Sequence, residues 1–307
     1  MSAYHKLTWK AVLELAAPHT WSASLVPVFL GAILSIAFEN SFSPLIFFSL
    51  LAVAVLLQSA VNSINDYADF VKGTDSEENC DDPTDASIVF NKINPRQALY
   101  IGLAAIIGAG LFGVYIVYQA GIVPLLFGGF GVLVIAFYSG GRIPISYLPL
   151  GELVSGFVMG GLITLVSYYS FTQNLNLKIL YYALVPILTT GLIMLTNNTA
   201  DIEKDRQAGR KTLPVLIGRK HAARTLKTGV VLALVLVSYL ILSSFKKSLF
   251  LLPIMLIFLS GPTYSLFKNP IGPYKRREAM VLILNIHKGL NFFYLAAIVV
   301  NLILTES

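Results

Sequence analysis

Charge is what this chain has least of. Asp, Glu, Lys and Arg make up only 12% of its 307 residues, about half the share usual in a soluble domain. That scarcity excludes an ordinary water-soluble enzyme, whose surface needs far more charge to stay dispersed. Cysteine is scarcer still. With Cys80 alone, a disulfide framework, a four-thiolate zinc site and most iron–sulfur ligation are excluded, so any metal has to be held by oxygen. The stretch from Met1 to Lys10 lacks the long apolar core and small-residue cleavage site of a signal peptide, so the first apolar run is expected to stay in the mature protein. No nucleic-acid-binding motif is present either. The net charge of +6 is therefore read as membrane orientation, and no nucleic-acid partner is expected.

What the chain has in abundance is apolar surface. Hydrophobic residues are 56% of the sequence and the mean hydropathy is +0.73, more than one soluble core can hide. The expected solvent is lipid. A helix needs about 20 apolar residues to cross roughly 30 Å of hydrocarbon, and nine such runs are legible, at 18–38, 44–64, 97–117, 121–138, 152–172, 180–200, 228–245, 248–267 and 279–303. The expected fold is an all-α integral membrane protein of about nine transmembrane helices, forming a single domain over 1–307. Eighteen of the 22 Lys and Arg residues fall in the N-terminus and alternate connections, against three (Lys178, Lys246, Lys247) on the other side and Lys288 within a span. The positive-inside rule then puts the N-terminus in the cytoplasm and Ser307 outside, in a multi-pass protein of the cell membrane.

Two of the cytoplasmic connections are long, and both open on acids and amides. After the second run comes Asn62-Ser-Ile-Asn65-Asp66-Tyr-Ala-Asp69-Phe-Val-Lys72-Gly73-Thr-Asp75; after the sixth, Asn197-Asn198-Thr-Ala-Asp201-Ile-Glu-Lys204-Asp205-Arg206. On helices, 62, 65/66 and 69 form one stripe and 198, 201 and 205 another, and an even number of spans separates them, so both face the same side. Carboxylates stacked at this spacing repel one another and are costly beside a bilayer unless paired or metal-bound. An oxygen-only set suits Mg2+, which takes one or two carboxylates and completes its shell with water and substrate phosphate. The two stripes therefore read as a diphosphate clamp with Asp66, Asp69, Asp75, Asp201 and Asp205 as metal ligands. Lys72, Lys204, Arg206 and Lys211 are interleaved with them and would offset leaving-group charge. The further acids Glu77, Glu78, Asp81, Asp82 and Asp85 have no helical phase and read as solvated loop.

These blocks resemble the UbiA superfamily of intramembrane aromatic prenyltransferases, with nine helices and two aspartate-rich motifs. Within it the resemblance is to the 1,4-dihydroxy-2-naphthoate polyprenyltransferase branch. It is carried by Asn65-Asp-Tyr-Ala-Asp-Phe-Val-Lys-Gly-Thr-Asp75, by Tyr138-Ser-Gly-Gly-Arg-Ile-Pro144 leading to Tyr147 and Leu150-Gly-Glu152, and by Asn197 to Arg206 with Gly209-Arg-Lys-Thr-Leu213. It covers roughly residues 9 to 220, and the last three spans add little. The resemblance implies Mg2+-assisted loss of diphosphate from a polyprenyl diphosphate donor and attack of the allylic cation on an electron-rich ring. Asn62, Asn65, Asn197 and Asn198 would then support diphosphate or metal-bound water, and Tyr138 and Tyr147 the cation, at about 1–2 kcal/mol each when desolvated. Arg142 and Glu152 are candidate acceptor contacts. Where family members commonly carry an arginine before the first proline, this chain has Ala17-Pro18-His19, so that contribution is missing or falls to His19. The motifs speak for the diphosphate half of the reaction. Another acceptor, such as 4-hydroxybenzoate, homogentisate, a chlorin, haem or glycerol phosphate, stays open, as does a transporter with an acidic ion site. Tyr168, Tyr169 and Phe171 read as an external aromatic belt, and His287 and Lys288 as polar groups snorkelling to the interface.

Overall fold

The structure, a computed structural model, describes residues 4–76 and 86–306, and within them it is helical with no strand. Cys80 and the acids Glu77, Glu78, Asp81, Asp82 and Asp85 lie outside the described residues. A short α1 (Trp9–Ala16) leads into α2 (Ser22–Glu39) and α3 (Pro44–Val71). The short α4 (Ser87–Asn91) precedes α5 (Pro95–Ala120) and α6 (Val123–Ser139). A continuous rod follows, made of α7 (Gly151–Ser155), a π-helical turn (Gly156–Leu162) and α8 (Ile163–Thr172). Next come α9 (Ile179–Tyr182), α10 (Leu184–Ala200), α11 (Ile202–Gln207) and α12 (Leu213–Ile217), and then the long α13 (Arg219–Ser244), α14 (Leu251–Lys268) and α15 (Arg276–Glu306).

Seven of these segments are long and apolar enough to cross a membrane: α2, α3, α5, the Gly151–Thr172 rod, α13, α14 and the segment Pro273–Thr305 that contains α15. The remaining two predicted runs fall on α6 and α10, 17 residues each. Helix starts follow local chemistry. Ser43 and Asn94 cap α3 and α5, accepting from the backbone N–H of Ile46 and Arg96, and each is followed by a proline whose missing N–H costs nothing there.

Two features place the acidic motifs. First, α3 does not stop at position 64 but runs to Val71, so Asn62 to Asp69 lie on one unbroken helix. Second, α10 ends at Ala200 and the chain bends at Asp201 before α11. Arg219 covers the bend, its guanidinium donating to the carbonyls of Thr199 and Ala200 at 3.4–3.5 Å. The Asp205 N–H still donates to the Asp201 carbonyl at 2.8 Å, so the second motif keeps helical spacing across the bend. The π-turn brings its backbone against α10. A Cβ at Gly160 would lie 2.4 Å from the Ile187 nitrogen, and one at Gly156 2.5 Å from the Ile187 oxygen. Only glycine allows that approach.

The principal core joins α2, α8, α10, α13, α14 and α15, and a smaller one, around Leu15, Ile88 and Ile93, seats α1 beneath the first motif. Two expectations are corrected here. Tyr168 and Phe171 are buried: the Tyr168 hydroxyl donates to Glu39 at 3.1 Å and Phe171 stacks on Phe42, while Tyr169 is half-buried, so this cluster is packing between helices and no lipid-facing belt. His287 does not snorkel; it is wholly buried with Nδ1 3.0 Å from the Thr189 hydroxyl, and only Lys288 is exposed.

Candidate active site

One cavity of about 1020 Å³ runs through the bundle and brings the two motifs together. Its polar end is lined by Asn62, Asn65, Asp66 and Asp69 of α3, by Asn197 and Asp201 at the end of α10, and by Lys204 and Asp205 of α11. The rest is apolar. Leu50 and Val53 of α3, Ile106 of α5, Phe127 of α6 and Val158 and Ile163 of the rod are among its walls.

Burial of the acids is the first electrostatic fact. Asp66, Asp69, Asp75 and Asp205 are buried and Asp201 half-buried. Each of four is held by a cation. Arg210 bridges the motifs, with Nη2 on Asp69 and Nη1 3.5 Å from Asp205. Lys204 lies 2.6 Å from Asp75. The Arg276 Nε is 3.0 Å from an Asp201 carboxylate oxygen, and its Nη2 donates to Asn197 Oδ1 at 2.6 Å. Burial pushes the Asp205 carboxyl up to about 6, with Arg210 and the Thr212 hydroxyl, 3.0 Å away, opposing the shift. On the outer side of α11, hydrogen bonding from Arg219 holds Glu203 below the usual carboxylate range.

The amides serve the site in two ways. Asn65 donates to Asp69 at 3.2 Å and accepts from the Ser139 hydroxyl at 2.9 Å, orienting a carboxylate from α3 against the end of α6. Asn62 donates to the Ala16 carbonyl and to the Thr20 hydroxyl, both at 3.0 Å, and so ties α3 to the end of α1 and the turn that leads into α2. Asn198 departs from the expectation: it points to Glu152, donating at 2.9 Å, and does not line the cavity. Asn197 lines it instead, because the stripe that faces inward at the end of α10 runs through 190, 194, 197 and 201.

The other predicted residues divide clearly. Tyr138 lines the cavity, its hydroxyl 3.4 Å from the Met194 sulfur. Tyr147 is not among the residues that line the cavity; Lys72 and Arg210 lie over its ring at 5.0 and 5.1 Å. Lys72 donates to the Ser139 carbonyl at 2.7 Å and fastens α3 to α6. Arg142, Arg206 and Lys211 are exposed and do not line the cavity. Sequence reasoning missed Arg210 and Arg276 as site residues. Arg210 lies inside the Gly209–Leu213 block, one position before Lys211; Arg276 and Arg277, which also line the cavity, carry only an orientation signal in the sequence.

Among the described residues no three His, Cys, Asp or Glu side chains converge on one point. The donor set nonetheless fits a hard divalent cation. Mg2+ habitually takes one or two protein carboxylates and shares its remaining shell with substrate phosphates and water. Asp66 and Asp69 on one wall and Asp201 and Asp205 on the other provide that number of oxygens on each side of the cavity.

Comparison with known proteins agrees with this geometry. The UbiA prenyltransferase family profile matches residues 24–301. The 1,4-dihydroxy-2-naphthoate octaprenyltransferase of Bacillus subtilis (strain 168) is 34% identical over 230 residues, covering 75% of this chain and 73% of that protein. The UbiA prenyltransferase domain-containing protein 1 homolog of Drosophila melanogaster is 32% identical over 214 residues, covering 68% and 58%. A solved structure of a UbiA homolog from Archaeoglobus fulgidus bound to DMAPP and Mg2+ shares the fold with a TM-score of 0.62 at 15% identity, covering 94% of this chain and 99% of that one. A buried clamp of aspartates and arginines opening into a long apolar cavity, the family profile and the naphthoate-enzyme relative lead to one conclusion: the chain belongs to the UbiA prenyltransferase family and is a prenyltransferase enzyme.

Proposed function

We propose that the protein transfers a polyprenyl group from a polyprenyl diphosphate to 1,4-dihydroxy-2-naphthoate, with Mg2+ and with loss of CO2, to give the demethylated menaquinone skeleton. The observation that carries this is the cavity itself. Its polar end brings carboxylates together with the guanidinium groups of Arg210 and Arg276, the charges a metal-bound diphosphate needs, and its apolar length, lined by α3, α5, α6 and α8, suits a prenyl chain. The acceptor rests on the similarity to the Bacillus subtilis naphthoate enzyme. Other aromatic acceptors are outcomes of the assay below.

Asp66, Asp69, Asp201 and Asp205 would hold the metal, which when bound supplies positive charge to the diphosphate oxygens as the leaving group forms. Arg210 and Lys204 add fixed positive charge at the same mouth, aimed where negative charge develops. The C1–O bond of the donor breaks with its electron pair leaving on pyrophosphate. Apolar walls and the half-buried Tyr138 keep water from the allylic cation, and the ring of Tyr138 offers a π face to it. Two para hydroxyls enrich the naphthoate ring, whose carboxylated carbon forms the new C–C bond. CO2 then departs and returns its bonding pair to the ring. The positive-inside bias supports a cytoplasmic mouth, nine crossings including the two 17-residue helices, and the cell membrane as location.

Purified protein given Mg2+, a polyprenyl diphosphate and a panel of acceptors tests the reading, with the carboxyl carbon of the naphthoate labelled. Label should leave as CO2 in step with prenylated product. Label kept in the product, or preference for 4-hydroxybenzoate, overturns the acceptor and leaves prenyl transfer standing.

A further inference from the structure

Arg276 opens α15, in the part of the chain where sequence motifs had little to say. It begins a 31-residue helix with a second arginine, Arg277, immediately after it. Cations are disfavoured there, since the N-terminus of a helix carries the positive end of its dipole. Membrane orientation requires only that the charge be on the right side, and Lys268 and Lys275 in the same connection meet that need. Neither reason explains why Arg276 reaches across to α10, half-buried, with Nε 3.0 and 3.2 Å from the two Asp201 oxygens and Nη2 on Asn197. The residues it grips belong to the second acidic motif, and all three line the cavity.

Building on the diphosphate-clamp reading, we propose that Arg276 is a diphosphate-binding residue whose resting partner is Asp201: before metal and donor arrive it neutralises that carboxylate, and on their arrival it yields Asp201 to the metal and turns its guanidinium to the leaving diphosphate. Such an exchange keeps charge balanced. The half-buried Asp201 carboxylate is never left bare, and the cation released from it is delivered within reach of new negative charge. The fork of a guanidinium suits both partners, because carboxylate and phosphate present oxygen pairs of similar spacing. Arg277, exposed on the same wall, is left at the rim.

The exchange has a signature that a purely structural tie lacks, and it is read by binding without turnover. In the full-length protein in detergent, Arg276→Gln should bind Mg2+ more tightly in the absence of donor, by about tenfold, because the competing cation has gone. The same variant should bind inorganic pyrophosphate in saturating Mg2+ about tenfold more weakly. Isothermal titration gives both constants. Arg276→Lys, which keeps charge without the fork, should move both in the same directions by smaller factors and guards against a Gln variant that fails to fold. Unchanged or weaker Mg2+ binding, or unchanged pyrophosphate binding, in whichever variant folds overturns the proposal. These titrations stand whatever acceptor is used, so failure of the exchange is distinguishable from an inactive prenyl transfer assay.

Discussion

Replacing Arg210 with alanine should destabilise the metal-free protein far more than the metal-loaded one. The guanidinium bridges Asp69 and Asp205, whose side chains are 12% and 3% exposed. Breaking a buried ion pair by removing one partner typically costs ~3–5 kcal/mol, because the other charge stays behind. Protonation limits the loss. A carboxyl of ordinary pKa 3.8 can be neutralised at pH 7.5 for about 5 kcal/mol, and Asp205, already pushed up to about 6 by burial, has covered much of that distance. A loss of about 3 kcal/mol follows, or a fall in Tm of roughly 6–12 °C if each kcal/mol is worth what it is in large soluble domains. Thermal unfolding by differential scanning fluorimetry in detergent, with chelator and then with millimolar Mg2+ and pyrophosphate, measures it. The metal should remove most of the deficit, since a divalent cation neutralises the same carboxylates. In an Asp205→Asn background the Arg210→Ala penalty should shrink, because the two residues are directly coupled. Equal deficits with and without Mg2+, or strictly additive losses in the double variant, would refute the idea that Arg210 serves as counter-charge to these acids.

Asp66→Asn and Asp201→Asn should each lower turnover by at least ~10²-fold by removing charge that holds the leaving group's metal, and a loss below about fivefold in a steady-state prenyl transfer assay would count against those positions as ligands. The raised Asp205 carboxyl adds a pH dependence whose sign is fixed. Its stabilising contribution is complete below the ordinary value of 3.8 and is lost as pH rises through about 6, so melts of the metal-free protein should fall between pH 5 and pH 7 and Asp205→Asn should flatten the trend. Mg2+ binding measured by titration should weaken as the same carboxyl takes up its proton below about 6. Gly128 lines the cavity and a Cβ there would meet nothing within 4 Å, so Gly128→Phe should fold normally yet narrow the channel; with donors of increasing length, activity should persist for the shortest and fall for the longest, and equal activity on all would show that the chain lies elsewhere.

The membrane class, the helical runs and the acidic motifs were legible from the sequence because each depends on local order. Twenty apolar residues fit a bilayer wherever they occur, and the amides and carboxylates between positions 62 and 69, or 197 and 205, share a face by helical spacing alone. The aspartates Asp66, Asp69, Asp201 and Asp205 were readable in this way and do line one cavity. What spacing does not contain is which cation meets which acid. Lys72, Arg206 and Lys211 are close in sequence to the motifs, yet one fastens α3 to α6 and the other two face outward. Arg276 is 75 positions from Asp201 and touches it. Those pairings follow from how α10 is drawn against the glycines of the π-turn and how α15 packs beside it, contacts between residues far apart in the chain. Tyr147 and His287 teach the same lesson. An aromatic ring near a motif and a histidine in an apolar run look alike in sequence whether they face substrate, lipid or the core, and only the packing of neighbouring helices decides, since the energy of each position depends on what stands opposite it.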